Sequence, residues 1–248
     1  MQQTDAHFAA QTEEAARRAD RGGYVVFTSF LNMAQISDLY AMRNKLPCPF
    51  TLFGGHPACE RKIAAFYDAP VDEGTFPIAC VRISPRSRKF SQELTHRDFL
   101  GSVLGLGIKR ETVGDIFICD NAAYVFCTDV MAEYIRNNLS CVNRTDVSCE
   151  IADGVPDEAL PQAKEQFVNV ASDRLDALLA AVYHLSRSQA AALVTQGKVF
   201  IDARLALSPS KEIPEGSVVS ARGFGRFRYL GVEKTTRKMR LGVRVEVW

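Results

Sequence analysis

Four polar residues open a short apolar segment in the last third of the chain, and a glycine and a lysine close it. They are Ser186, Arg187, Ser188 and Gln189, followed after the apolar segment by Gly197 and Lys198. The serines and the glycine predict a helix with Ser186 or Ser188 as its N-cap, and the start of a helix favours an anion. The guanidinium of Arg187 fits phosphate oxygens, and both hydroxyls can donate hydrogen bonds. The spacing therefore predicts a phosphate-binding site at the start of this helix, with Lys198 close to it.

The neighbouring segments must position these residues. "SDRLDALLAAVYHL" has apolar residues on one helical face, which predicts a helix with Ser172 as its N-cap and Asp176 as a structural residue. "KVFID" predicts a strand, Asp202 and Ala203 a turn, and "GSVVSARGFGRFRYLGV" and "MRLGVRVEVW" further strands. A helix pair against a sheet is expected.

Charge separates along the chain, although the formal net charge is only +1. From Phe167 onward the chain has 13 Lys+Arg and 7 Asp+Glu, whereas the residues before Phe167 include 17 Lys+Arg and 22 Asp+Glu. Segregated charge of this kind indicates a local polyanion-binding face or, equally, a solvated basic surface.

Three segments and a linker are predicted. Residues 1–75 form a mixed α/β unit, in which "HPACERKIAAFYD" is expected to be a helix. Residues 76–152 follow the order β-α-β-β-α-β, the ferredoxin-like plan of RNA-recognition-motif (RRM) domains, with Thr95 as one N-cap and Gly107 near the end of that helix. Residues 153–166 are rich in proline and acidic residues and predict a linker, and residues 167–248 form the last domain. The expected fold class is α+β.

The last segment resembles the RNA-binding domain named after ribosomal protein S-four. The runs R-L-D at 174–176, S-R-S-Q-A at 186–190 and G-K-V-F-I-D at 197–202 match its motif, with Asp202 where an asparagine is usual. This resemblance implies a set of RNA-facing residues: Arg174, Ser186, Arg187, Ser188, Gln189, Lys198, Arg204, Arg222, Arg226 and Arg228. Phe224 and Phe227 interleave with the last arginines and are predicted either to stack on bases or to pack in the core.

The whole chain is similar to the bacterial YlmH family, through "GGHPACERK" at 54–62, "LTHRDFLGSVLGLGIKRETVGDI" at 94–116 and the order of the three parts. It departs where "FLNMAQ" at 30–35 replaces the usual "FLDP". The resemblance implies a non-catalytic RNA-binding protein of the large ribosomal subunit, acting in rescue and quality control of stalled translation. It implies contact with ribosomal RNA and leaves direct contact with tRNA open. We expect a monomer with no cofactor, metal or small-molecule substrate.

The basic run "RISPRSRKF" in the middle segment supplies a candidate second RNA contact. Its cations are Arg82, Arg86, Arg88 and Lys89. An exposed loop after a strand explains the same pattern equally well. The strands around it lack the basic and aromatic signature of a typical RRM, so recognition of single strands by stacked bases is not expected.

Two other classes are kept as alternatives. Pseudouridine synthases often carry the same appended domain, but their catalytic aspartate precedes threonines and a glycine, whereas Asp176 continues into an apolar helix. A cell-division-linked scaffold is the second alternative. "HRD" at 96–98 matches a kinase catalytic loop only locally, and a structural role at a helix start is predicted instead.

Composition indicates where the protein works. No run approaches the about 18 apolar residues of a membrane span, and the N-terminal segment lacks the apolar core of a signal peptide, so a cytoplasmic location is expected. The seven cysteines are odd in number and form no C-x-x-C pair. Several lie in apolar strand-like segments, which predicts small buried hydrophobic residues.

Overall fold

The chain folds as two compact units in a computed structural model that describes residues 6–87, 92–235 and 240–248. The units comprise residues 1–160 and 161–248. Both mix helices with antiparallel sheets, which agrees with the expected α+β class. No helix in the described ranges has the length and apolar character that crossing a membrane requires.

The first unit begins with two helices and a small sheet of three strands. Its elements are α1 (Ala6–Gly22), β1 (Val26–Phe27), α2 (Met33–Met42), β2 (Phe50–Phe53) and β3 (Ile63–Phe66). The strand β3 lies between β1 and β2, and all four of its residues are buried. The helix predicted over "HPACERKIAAFYD" is therefore wrong: its apolar run "IAAF" is a central strand. A short buried run has the same hydrophobic pattern in a strand and in a helix.

A side-chain cap fixes the start of α2 in the segment where the sequence departs from the YlmH pattern. The side chain of Asn32 accepts from the N–H groups of Ala34 and Gln35 at 2.9 and 3.1 Å, and the Gln35 side chain accepts from the N–H of Asn32. The departing residues thus form a complete capping box.

A five-stranded sheet forms the rest of the first unit. Its elements are β4 (Ile78–Pro85), α3 (His96–Gly105), β5 (Val113–Cys119), β6 (Ala122–Thr128), α4 (Asp129–Asn138), β7 (Cys141–Val142) and β8 (Thr145–Ala152). The strand order is β5-β6-β4-β8-β7 and every pairing is antiparallel. The helices cover one face, where Val81, Phe99, Val125 and Ile135 are fully buried. Apart from the short β7, the element order is the one predicted.

Local signals set the ends of these elements. Thr95 caps α3 by accepting from the N–H of Asp98, whose carboxylate accepts from the N–H and hydroxyl of Thr95 at 2.8 and 2.6 Å. The "HRD" triplet is thus the first turn of a capped helix, as predicted. Gly107 has a φ of 82°, and Asp120 and Asn121, with φ of 50° and 61°, form the turn between β5 and β6.

The opposite face of this sheet is partly closed. Phe117 and Phe126 point away from the helices and form an apolar cluster with Cys59, Cys80 and Ala159, all of them buried. Cys59, which precedes the sheet in the chain, and Ala159, which follows β8, cover this face. Phe117 and Phe126 are therefore unavailable for stacking on bases, whereas Tyr124 on the same face is half-buried.

The second unit packs two helices on a six-stranded sheet. Its elements are β9 (Lys164–Val170), α5 (Leu175–Val182), α6 (Arg187–Thr195), β10 (Val199–Ile201), β11 (Arg204–Leu205), β12 (Val218–Ala221), β13 (Gly225–Thr235) and β14 (Leu241–Val247). The strand order is β11-β10-β12-β13-β14-β9. The edge strand β9 begins at Lys164, inside the segment that the sequence predicts as a linker, because its residues pair along the whole of β14.

The prediction of Ser172 as an N-cap is wrong. The helix α5 begins at Leu175, and its N-cap Arg174 makes no side-chain capping bond. The N–H groups of Leu175 and Asp176 donate to the carbonyls of Lys211 and Pro209 at 2.8 and 2.9 Å. A distant loop satisfies the first N–H groups, so a local cap is not needed.

Candidate nucleic-acid interface

A buried carboxylate holds two arginines at the helix pair of the second unit. Asp176 Oδ2 accepts from Nη2 of Arg187 at 2.7 Å and from Nη2 of Arg174 at 3.2 Å, while its Oδ1 accepts from Nε of Arg174 at 3.3 Å. The Asp176 side chain is only 8% exposed, whereas those of Arg174 and Arg187 are 43% and 46% exposed. Asp176 is thus the structural residue that the sequence predicts, and it orients two guanidiniums whose outer edges reach solvent.

The charges in this cluster do not balance. Burial tends to raise the pKa of Asp176, but the hydrogen bonds and charges of Arg187 and Arg174 outweigh it and lower that pKa below the ordinary value. The carboxylate is therefore ionised at neutral pH, and one negative charge faces two positive ones. The cluster of Arg174, Asp176 and Arg187, called here the arginine cluster, keeps a net positive charge and spare N–H donors for an anion.

The start of α6 is closed by a capping box. The Ser186 hydroxyl accepts from the N–H of Gln189 at 3.2 Å, and the Gln189 side chain accepts from the N–H of Ser186 at 2.9 Å. Ser186, and not Ser188, is the N-cap; their hydroxyl oxygens are 3.0 Å apart. Residues 186–189 are all exposed. The box uses two of the N–H groups at this helix start, and those of Arg187 and Ser188, the first two residues of the helix, have no acceptor among the described residues.

The end of α6 sets the direction of the chain into the sheet. Gly197 has a φ of 68°, and the N–H of Lys198 donates to the carbonyl of Leu193 at 3.0 Å, which completes a Schellman motif. The turn at Asp202 and Ala203 has φ of 49° and 61°, and Asp202 Oδ1 accepts from the N–H of Val218 at 2.9 Å. The glycine and the turn are both as predicted.

Lys198 does not join the start of α6. It follows the end of a nine-residue helix, and such a helix is about 13 Å long. Val199 and Ile201 point into the core beneath the helices, so alternation places Lys198 and Phe200 on the opposite face of the sheet. The sequence groups Lys198 with Arg187, whereas the structure separates them because the helix lies between.

The sheet face away from the helices carries three of the remaining predicted arginines, and we call it the outer face. The Arg222 guanidinium lies 5.2 Å from the ring centre of Phe200, and those of Arg226 and Arg228 lie 5.1 and 5.3 Å from the ring centre of Trp248. Arg228 also donates to Glu246 at 3.0 Å. Arginines held over aromatic rings form a positive surface with restricted side-chain motion.

The two phenylalanines of this hairpin both contact Tyr183, which packs against the helix-covered core. Phe227 is fully buried in the core, so of its two predicted roles the packing role is correct. Phe224 is 43% exposed, and its ring centre lies 5.5 Å from that of Tyr183. Sequence reasoning missed Trp248, which lies across from Arg226 and donates its backbone N–H to that residue's carbonyl at 3.0 Å. The alternation in "RFR" at 226–228 predicts that the two arginines share one face of the strand. Only the pairing of β13 with β14 shows that Trp248 lies on the same face.

The candidates outside these two surfaces are more constrained. Arg204 is exposed on the short β11 at the sheet edge. In the first unit, Arg82 is paired with Glu150 at 2.6 Å, and Nε of Arg86 donates to the carbonyl of Val147 at 3.0 Å. Arg88 and Lys89 lie outside the described residues. The candidate second contact thus has two arginines that are partly committed to the sheet.

Two family models match the chain in this order. Residues 72–154 match the model described as "Putative RNA-binding domain in YlmH", and residues 173–219 match the S4 domain, the S-four type domain of the sequence analysis. The arginine cluster and the capping box both lie within the second match. These matches define a protein with a "Putative RNA-binding domain" in its middle and an S4 domain after it.

A curated protein and a solved structure narrow the relationship. The chain is 28% identical over 215 residues to "Ribosome-associated protein quality control protein P2" of Bacillus subtilis (strain 168). This match covers 85% of this chain and 82% of that protein. It shares its fold with "Cell division protein ylmH from Streptococcus pneumoniae", with a TM-score of 0.53 and 20% identity over 61% of this chain and 93% of that chain. The resemblance to the YlmH family is confirmed, because the middle of the chain matches the "Putative RNA-binding domain" of that family and an S4 match follows it.

Proposed function

We propose that the chain is a non-catalytic RNA-binding protein that associates with the large ribosomal subunit in the quality control of stalled translation. The arginine cluster at the start of α6 carries the proposal, because it offers two oriented guanidiniums with a net positive charge inside an S4 domain. The name of the Bacillus relative supports the ribosomal setting. Binding to ribosomal RNA is the expected activity, and contact with a peptidyl-tRNA on the same subunit is part of the proposal.

The cluster suits RNA phosphates for a physical reason. A buried carboxylate fixes the two guanidiniums before RNA arrives, so less side-chain entropy is lost on binding. The N–H groups of Arg187 and Ser188 point from the same helix start and add the positive end of the helix dipole. Such contacts bind the RNA backbone and are independent of base sequence. The outer face, with Lys198, Arg222, Arg226 and Arg228, would extend the contact along a second stretch of RNA.

The middle domain is proposed to be RRM-like but to bind differently from a typical RRM. Its strand order, with β4 between β6 and β8, is that of the ferredoxin-like plan. Typical RRMs stack bases on aromatic residues of the open sheet face. Here Phe117 and Phe126 are buried on that face, so we propose contact through phosphates at the edges of the domain.

The enzymatic alternative gains no support at its one candidate residue. Asp176 lies within α5, is buried and accepts bonds from two arginines, so it has the surroundings of a positioning residue. The scaffold alternative remains distinguishable by sedimentation. A ribosome-associated binder should travel with large subunits and dissociate at high salt, whereas a scaffold should not.

The proposed interface can be tested with two double variants that remove the same charge. Arg187→Ala with Lys198→Ala removes one cation from each surface of the S4 domain. The control, Arg17→Ala with Arg136→Ala, removes two arginines that are ion-paired and exposed to a similar degree, 47% and 44%, in the first unit. RNA affinity is measured by fluorescence anisotropy over a range of salt concentrations.

The first variant should bind RNA more weakly, while the control stays close to the unmodified protein. Its log–log salt slope should fall by about 0.7–0.9 for each phosphate that the protein no longer neutralises. Equal affinity and slope in both variants would show that the face is wrongly assigned. Residual Arg174 keeps Asp176 paired, so the second unit should remain folded.

A further inference from the structure

Two sequence motifs with no assigned role meet inside the first unit. Arg61 belongs to the motif at 54–62 and Arg110 to the one at 94–116. The Arg61 Nε donates to the carbonyl of Val113 at 3.0 Å, and its Nη2 donates to the carbonyls of Phe30 and Arg110 at 3.0 and 3.4 Å. Arg110 Nη1 donates to the same Val113 carbonyl and to that of Gly114. Because one carbonyl oxygen serves both side chains, the two guanidiniums lie side by side.

This arginine pair lacks a matching negative charge. Within the described part of the chain, neither guanidinium has a carboxylate oxygen within 4.0 Å. Asp115 is the nearby acid, but its Oδ2 accepts from the backbone N–H groups of Glu60 and Arg61, at 2.5 and 3.0 Å. The two positive charges of Arg61 and Arg110 are therefore offset only by the single negative charge of Asp115, which lies farther away. Burial, and then the charge of Arg110, lower the pKa of Arg61 to about 10, and burial also lowers the pKa of Arg110. Both side chains nevertheless stay protonated at neutral pH.

The pair also retains donors that the protein does not use. Nη1 of Arg61 and both Nε and Nη2 of Arg110 have no acceptor among the described residues.

Carbonyl oxygens alone do not neutralise the charge of the arginine pair. They satisfy part of the hydrogen bonding, but they carry no net charge to set against two half-buried cations. A phosphate does both, because its oxygens fit the guanidinium fork and its charge offsets the repulsion between the pair. We propose that Arg61 and Arg110 form a phosphate-binding site in the first unit. The site does not depend on the S4 domain interface.

The phosphate can belong to an RNA backbone or to a free phosphate or nucleotide, and one experiment separates these sources. Amide shifts of the ¹⁵N-labelled full chain are followed as inorganic phosphate replaces chloride at constant ionic strength. The signals of Arg61 and of residues 110–115 should shift and saturate at about millimolar phosphate. Arg110→Gln should weaken this binding about tenfold or more, whereas Lys109→Gln, an exposed neighbour with the same loss of charge, should leave it unchanged.

RNA titrations of the same two variants identify the source. If Arg110→Gln lowers the salt slope relative to Lys109→Gln, the phosphate is that of an RNA backbone; if phosphate binds but the RNA slopes are equal, it is a free phosphate or nucleotide. Both results support the site. The absence of saturable shifts in the unmodified protein, or shifts that survive Arg110→Gln, would overturn it. Neither result depends on Arg187 or Lys198, so failure here leaves the proposed function separately testable.

Discussion

Replacing Asp176 by asparagine should destabilise the second unit strongly. The substitution keeps the size and one acceptor but removes the charge that holds Arg174 and Arg187 together. Breaking a buried ion pair costs about 3–5 kcal/mol, and hydrogen bonds to charged groups contribute about 1.5–3 kcal/mol each. Both arginines are nearly half exposed, so solvent screens much of the repulsion that remains. We therefore expect a loss of about 2 kcal/mol.

The single tryptophan makes this measurable in the full chain. Trp248 packs against Arg226 and Arg228, so its fluorescence reports the unfolding of the second unit alone. With an m value of about 1–2 kcal/mol/M, the urea midpoint should fall by about 1–2 M. Asp173→Asn is the matched control, because that neighbouring carboxylate forms no ion pair among the described residues.

The effect should also depend on pH with a definite sign. The folded pKa of Asp176 is lowered, so its stabilisation is complete above the unfolded pKa of about 3.9 and is lost as the pH falls through the folded pKa. The difference between Asp176→Asn and the unmodified protein should therefore shrink below about pH 4. An unchanged midpoint at pH 7, or an equally large difference at pH 3, would refute the charge-based explanation.

Two further predictions concern the cap of α6 and the cysteines. Ser186→Ala should destabilise the second unit by about 1 kcal/mol, seen as an earlier loss of Trp248 fluorescence in urea, and Ser188→Ala should cost less because its hydroxyl contacts only that of Ser186; equal costs would contradict the capping box. The exposed Cys141 should react with a thiol reagent far faster than Cys80, because burial raises the pKa of Cys80 to about 12. Mass spectrometry of the native protein would locate the label, and equal rates would argue against the buried position.

Local signals in the sequence predict much of this structure. The caps at Thr95 and Ser186, the helix end at Gly197 and the turn at Asp120 and Asn121 depend on residues within a few positions of each other. Their chemistry is the same in any surrounding. For this reason the sequence alone locates the start of α6, the core of the candidate site, correctly.

The failures share a different physical origin. Ser172 does not cap α5 because the carbonyls of Lys211 and Pro209 satisfy the helix from a distant loop. The buried run at 63–66 is a strand because two other strands pair with it. Trp248 reaches the outer face only through the register of β13 and β14. Each case depends on partners far along the chain, which pattern alone does not identify.

The closed face of the middle sheet limits how this protein can be divided. Phe117 and Phe126 are kept from water by Cys59 on one side and by Ala159 on the other, both of which lie beyond the 72–154 segment that matches a domain model. A fragment cut at those limits would expose the apolar sheet face that carries Phe117 and Phe126. Such a fragment should self-associate through this face, independently of RNA. The smallest fragment suitable for separate study of this sheet is therefore residues 1–160. A gene fusion that takes only residues 72–154 should produce a protein that aggregates.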